Sequence, residues 1–131
     1  MALHTDGVLF FDGIPFTGQL LEEYANGSVK EKILYKNGLR TSTSYRYYES
    51  GQLFSIRTWK EGKKHGVHRG FFPNGSQRFL YSFEQGMSTG NHKEWYKSGQ
   101  LASDMNYQNG KATWRAKGVA SGWQAPLQLR H

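Results

Sequence analysis

Chemistry could begin at three histidines, His65, His68 and His92. His68 and His92 stand 24 positions apart. A chain that repeats with that period sets them side by side across a sheet. With His65 they offer three neutral imidazoles of the kind that bind zinc. No carboxylate recurs beside them, however, and a repeating chain brings like residues together without any metal. The expectation is therefore solvent-facing histidines, with no metal and no other cofactor assigned. The 10 acidic residues are scattered over different positions of the repeat, and no pair recurs at a spacing suited to acid–base work. No serine lies in a nucleophile-elbow motif, and the glycines follow turn signals and not a phosphate-cradling loop. Cysteine is absent, which excludes thiolate catalysis, disulfides and cysteine-held metals. The chain reads as a non-enzyme with no catalytic residue.

Binding is the better-supplied chemistry. Lys60, Lys63, Lys64, His65, His68 and Arg69 form the densest basic run, with Arg46, Arg78, Lys93 and Lys97 in adjoining units. They are set among Trp59, Phe71, Phe72, Trp95 and Tyr96. Such lysines often do no more than solubilise a face and blunt strand edges. Aromatics and arginine together, however, are what anchors most protein interfaces, and what stacks and neutralises single-stranded nucleic acid. The candidate partner-binding set is Trp59, Lys64, Arg69, Phe71, Lys93, Trp95 and Tyr96, expected on one face. A formal net charge of +7 and a pI near 9.7 attract acidic proteins, anionic lipid or nucleic acid alike.

The elements that position these residues follow from a repeat. Gly27, Gly51, Gly75 and Gly99 are 24 apart, and so are Gly38, Gly62, Gly86 and Gly110. A fixed period of this length marks an array of units that contact mainly their neighbours. The units are a half repeat at 8–23, full repeats at 24–47, 48–71 and 72–95, a degenerate one at 96–119, and a tail at 120–131. Each full repeat has two turn signals. Asn26-Gly27, Ser50-Gly51, Asn74-Gly75 and Ser98-Gly99 form one class; Asn37-Gly38, Glu61-Gly62, Gln85-Gly86 and Asn109-Gly110 form the other. In a tight Asn-Gly hairpin both central residues take positive φ. Two strands per repeat, roughly nine or ten in all, follow from turns at this spacing.

Alternation places Val29, Ile33 and Tyr35 on one face, joined by Leu53, Trp59, Phe79, Tyr81, Phe83, Leu101, Met105 and Tyr107. The pairs Tyr47-Tyr48, Phe71-Phe72 and Trp95-Tyr96 should put one ring on each side of the sheet. No 3.6-residue apolar stripe appears, so almost no helix is expected. No secretory leader and no apolar run near the ~20 residues of a membrane span is seen, which gives a cytoplasmic expectation. The tail is expected to be a cap, a loose segment or a docking arm, its last residues mobile.

The recurring frame is two aromatics, any residue, Asn or Ser, Gly, then an aliphatic, then an aromatic before x-x-Gly. From about Phe10 to Lys111 it resembles the MORN-repeat variant of bacterial proteins in the YwqK family of antitoxins, as does the opening Gly13–Gly18 stretch, GIPFTG. The resemblance implies an all-β fold, an elongated single-layer antiparallel meander of 24-residue hairpins. It also implies a protein-binding scaffold of antitoxin or immunity type that masks a toxin or effector. Alternatives are an anionic-phospholipid adaptor at a membrane surface, nucleic-acid binding through the basic aromatic face, and a homo-oligomer paired through an open edge or face. Departures from the frame are Ser42 and Trp114 where glycine is typical, and Gln77 where an aliphatic is typical.

Overall fold

Two kinds of turn, used alternately, wind the chain into its sheet. At the second class, Asn37, Glu61, Gln85 and Asn109 all take φ near 50° and the following glycine is also positive, as tight two-residue turns require. At the first class only the glycine is positive. There Gly27 N–H donates to Tyr24 O at 2.9 Å and Tyr24 N–H donates to Ser28 O at 2.8 Å. That pattern is a three-residue loop with a left-handed glycine closing a bulge, and it recurs at Tyr48, Phe72 and Tyr96. Asn26 and Asn37 thus serve different purposes. Asn26 Oδ1 accepts from Ser28 N–H, whereas Asn37 itself turns the backbone.

A computed structural model describes residues 2–113. The N-terminal unit holds β1 (Ala2–Thr5), β2 (Val8–Phe11) and β3 (Ile14–Pro15), a three-stranded antiparallel sheet. Then come β4 (Gly18–Glu23), β5 (Val29–Lys36), β6 (Leu39–Tyr47), β7 (Leu53–Lys60), β8 (Lys63–Lys64) and β9 (Gly66–Phe71). The chain continues through β10 (Gln77–Glu84), β11 (Met87–Ser88), β12 (Gly90–Trp95), β13 (Leu101–Gln108) and β14 (Lys111–Thr113). From β4 onward these form one open antiparallel sheet, each strand beside its neighbour in sequence, with β8 and β11 as two-residue extensions on β7 and β10. The all-β meander expected from the turns is what the chain forms. The strand β1 was not anticipated. It is returned to β2 by Asp6-Gly7, a turn of the tight class, with φ of 52° and 78°.

The N-terminal sheet docks through the first tight turn. Leu9 N–H donates to Gly38 O at 2.8 Å, and Gly38 N–H donates to Phe16 O. The same clamp repeats down the array: Gly62, Gly86 and Gly110 N–H groups donate to the carbonyls of Arg40, Lys64 and Ser88. Each turn is thereby tied to the unit before it. Leu9, Ile33 and Tyr35 form the buried cluster at this end, with Phe16 and Leu20 packed against it. The tail and the end of the last repeat, including Trp114, lie outside the described residues.

One position of the repeat needs a left-handed backbone. Gly66 and Gly90 take φ of 78° and 66° there, and Ser42 takes 57°. Left-handed geometry costs a residue with a side chain, and glycine avoids that cost. Ser42→Gly should stabilise the protein by about 0.5–1 kcal/mol, the relief of strain less the entropy glycine adds to the unfolded chain. Urea denaturation checks this, and an unchanged or lower midpoint would show that Ser42 is unstrained.

Candidate functional site

Strand register assigns the side chains to two faces. One of them, the ring face, carries the 24-spaced column Tyr35, Trp59, Phe83 and Tyr107. A second column, Ser44, His68 and His92, falls between these rings. His68 lies 5.9 Å from Trp59 and 4.7 Å from Phe83, and His92 lies 5.6 Å from Phe83 and 4.4 Å from Tyr107, between ring centres. Trp59, His68, Phe83, His92 and Tyr107 make one continuous row of tilted and edge-on ring contacts running across the strands. Toward the N-terminus Ser44 stands in the histidine place, and Trp59 Nε1–H donates to its hydroxyl at 2.9 Å.

The expectation of solvent-facing histidines is overturned. His68 is 0% exposed and His92 7%. Their Nε2 atoms sit 2.8 Å from Thr58 O and Ser82 O respectively. A carbonyl only accepts, so Nε2 carries the proton in His68, whereas His92 Nε2 lies close to both the carbonyl and, at 3.3 Å, the N–H of Ser82. Their rings are separated by Phe83 and each Nε2 is already used, while His65 borders a different depression with Lys60 and Glu84. Among the described residues no group of three or more His, Cys, Asp or Glu side chains is placed to hold a metal. Burial is the main cause that lowers the pKa of both histidines, to about 4 for His68, and Arg57 and Lys64 push His68 the same way.

Three depressions open along the ring face. The first, about 330 Å³, is walled by Arg40, Arg46, Arg57, Trp59, Lys64 and Glu31, with Phe54 and Ser55. The second, about 570 Å³, takes in Phe54, Arg57, Phe72, Phe79, Trp95 and Tyr96 together with Arg78, Tyr81 and Glu94. The third, about 290 Å³, lies among Lys64, Tyr81, Phe83, His92, Glu94 and Tyr107. Cations lie over rings throughout: Arg40 on Trp59 at 4.8 Å, Lys64 on Phe83 at 5.0 Å, Arg46 on Phe54 and Arg57 on Phe79 at 5.4 Å, and Arg78 on Phe72 at 5.7 Å. Such stacking is attractive and is strengthened where the cation is partly desolvated. Tyr81 donates its hydroxyl to Glu94 Oε2, and burial together with that bond pushes the phenol pKa up. Burial lowers the pKa of Arg57; Arg46 and Arg40 act in the same direction, and Tyr81 and Glu31 oppose them.

Three stretches of the chain, residues 16–37, 40–61 and 88–109, match the family described as MORN repeat variant. The chain belongs to that family. The matched stretches all begin at the same point of the 24-residue period, on the residues whose carbonyls are clamped, Phe16, Arg40 and Ser88. No curated protein matches the chain. The match is to the MORN variant repeat itself and does not extend to a narrower antitoxin group.

Within this MORN variant sheet the expected partner-binding residues do not share one face. Trp59 and Lys64 are direct cross-strand partners on the ring face. Trp95 and Tyr96 border the second depression there. Arg69 and Lys93 both flank Leu80, on the reverse face. Lys93 is engaged there with Asp104 at 3.8 Å. Phe71 ends β9, where its carbonyl accepts from the Tyr48 hydroxyl at 2.7 Å. The reading of one ring on each side also fails at Trp95-Tyr96, since both border the same depression. The physical reason is that β12 ends at Trp95, which leaves Tyr96 in the turn beyond it, and that the register shifts there, with Ala102 of β13 as the extra residue, so strict alternation of sides no longer applies. Arg40 and Arg57 were missed because they lie outside the dense basic run. The available signal was the column Ile33, Arg57, Tyr81 and Met105, in which a cation replaces hydrocarbon.

The buried histidines set a pH dependence. His68 changes from about 4 when folded to an ordinary 6.5 when unfolded. Between those values the unfolded chain binds more protons, so stability is full above pH 6.5 and is lost as pH falls toward 4. The expected loss from His68 is on the order of 3 kcal/mol. Urea midpoints at pH 7.5 and pH 4.5 check this. His68→Ser, copying Ser44, should be less stable at neutral pH yet show a flatter pH profile; an unchanged slope would remove His68 as the cause.

Proposed function

We propose that this chain is a non-enzymatic protein-binding scaffold whose contact surface is the ring face. The observation that carries this reading is the row of three linked depressions, walled by aromatic rings and by cations already laid against them. Phe54 and Arg57 border the first and second depressions, and Tyr81 and Glu94 border the second and third. A partner seated in one is therefore led into the next. Tyr96 is 55% exposed and adjoins Trp95, so an anchor of the type that dominates protein interfaces is ready on the surface. The MORN variant repeat supplies the backing, because the tight turns at Gly38, Gly62, Gly86 and Gly110 are each clamped to the preceding unit.

In this reading the mechanism is steric. The ring face covers an acidic patch or an active-site rim of the partner, and the excess of 17 Lys plus Arg over 10 Asp plus Glu speeds their encounter. Masking of a toxin or effector, as an immunity-type protein does, is one form this takes. Anionic lipid, nucleic acid and self-association remain outcomes of the test.

Two double variants check the face. Trp95→Ala with Tyr96→Ala should weaken capture of the partner from the source cell's lysate by about 30-fold or more, the loss of an anchor worth ~2 kcal/mol. Arg69→Ala with Lys93→Ala, on the reverse face, should leave capture nearly unchanged. The reverse pattern would move the interface to the other face. Recovery of only lipid or nuclease-sensitive material, lost as salt rises, would overturn the protein-binding reading.

A further inference from the structure

One column of the repeat sets its own standard for what belongs at the centre of the ring face. Ile33, Arg57, Tyr81 and Met105 occupy it in successive units. Ile33 and Met105 are each 2% exposed and fill the position with hydrocarbon. Tyr81 brings a hydroxyl there but gives it to Glu94. Arg57 has neither solution. Its guanidinium lies against the Phe79 ring, half-buried, and among the described residues it makes no salt bridge or hydrogen bond. A charge drawn out of water without a partner is a cost that the same repeat avoids elsewhere with isoleucine and methionine.

Arg40 and Arg46 share the condition. Each lies over a ring, Trp59 or Phe54, and neither has a carboxylate within salt-bridge distance among the described residues. A guanidinium that lies over a ring and has no carboxylate partner can still offer N–H groups, and these match a carboxylate with two parallel hydrogen bonds. Arg40, Arg46, Arg57 and Lys64 border one depression of about 330 Å³, against the single acid Glu31.

We infer that this depression is a carboxylate-binding subsite that takes an acidic segment of a partner protein, with Arg57 at its floor. The inference rests on the protein-binding reading of the ring face and names the chemistry recognised there. Arg57 and Phe54 are shared with the neighbouring depression beside Trp95 and Tyr96. A segment with carboxylates followed by apolar side chains fills both. A nucleic-acid backbone fits the same path poorly, because its next phosphates would run toward Glu94 on the far wall. A free phosphate leaves the aromatic depression empty.

The test uses two fluorescein-labelled peptides, Glu-Asp-Glu-Gly-Phe-Leu and its amide analogue Gln-Asn-Gln-Gly-Phe-Leu, followed by anisotropy. The full chain should bind the acidic peptide about tenfold or more tightly than the analogue, the minimum for a paired, partly buried charge. Arg57→Met copies the repeat's own Met105 and should erase that margin while keeping or raising the thermal midpoint. A margin retained in Arg57→Met overturns the subsite, as does an acidic peptide that fails to bind. Equal binding of both peptides to the wild type also overturns it, yet leaves the ring face as a protein-docking surface. Displacement of the acidic peptide by phosphatidylserine vesicles, oligothymidylate or inorganic phosphate, at concentrations where excess unlabelled peptide does not compete, would assign the arginines to those anions instead.

Discussion

Among the described residues the sheet has no second layer over its apolar side, so its side chains must shelter each other. That constraint governs this protein. The ring face meets it by interleaving two columns, so that Trp59, His68, Phe83, His92 and Tyr107 touch in sequence. Aromatic contacts of this kind add about 0.5–1.5 kcal/mol per pair beyond the area they bury. The histidines link the row because an imidazole is small enough to fit at a tilt between larger rings. It also brings one N–H, and the strand next door offers a carbonyl at the right place. The backbone thus satisfies the ring, and the ring covers the backbone.

The same constraint explains where cations go. A ring face left bare would be a broad apolar patch of the kind that aggregates. Arg40, Arg46, Arg57, Lys64 and Arg78 lie across rings and keep the surface wet. For Arg78 this is a sufficient account, whereas Arg40, Arg46 and Lys64 also wall the first depression together with Arg57. Arg57 is different because its column is core elsewhere. A residue that spends stability at one repeat, where its equivalents conserve it, marks the place where the array departs from being only a scaffold.

Edge management completes the picture. The N-terminal sheet packs on the first turn through Leu9, Gly38 and Phe16, so the array begins with its apolar cluster covered. Gly38 can sit there only as glycine: a Cβ would come 2.3 Å from Val8 Cγ1. On the ring face Gly70 has a similar role, with its missing Cβ giving space to the Phe79 ring that carries Arg57. Small residues at two fixed points therefore let the cap dock and the arginine stack.

Much of this was legible in the chain. The 24-residue period, the turn pairs and the alternation of rings are local signals, and each acts within a few residues, so the sequence by itself determined an all-β array with Ile33, Trp59, Phe83 and Met105 on a common face. It also pointed toward binding chemistry, because basic and aromatic residues are richly supplied. Tertiary structure decided the rest. Whether Trp95 and Tyr96 border one depression depends on where β12 ends and on a register shift opposite it at Ala102, and such a shift is set by cross-strand pairing that alternation cannot count. Whether His68 is wet or buried depends on Phe83 and Thr58 arriving from neighbouring strands. Whether Arg57 finds a carboxylate depends on side chains from four strands converging on one depression, a non-local fact that no spacing within a strand contains.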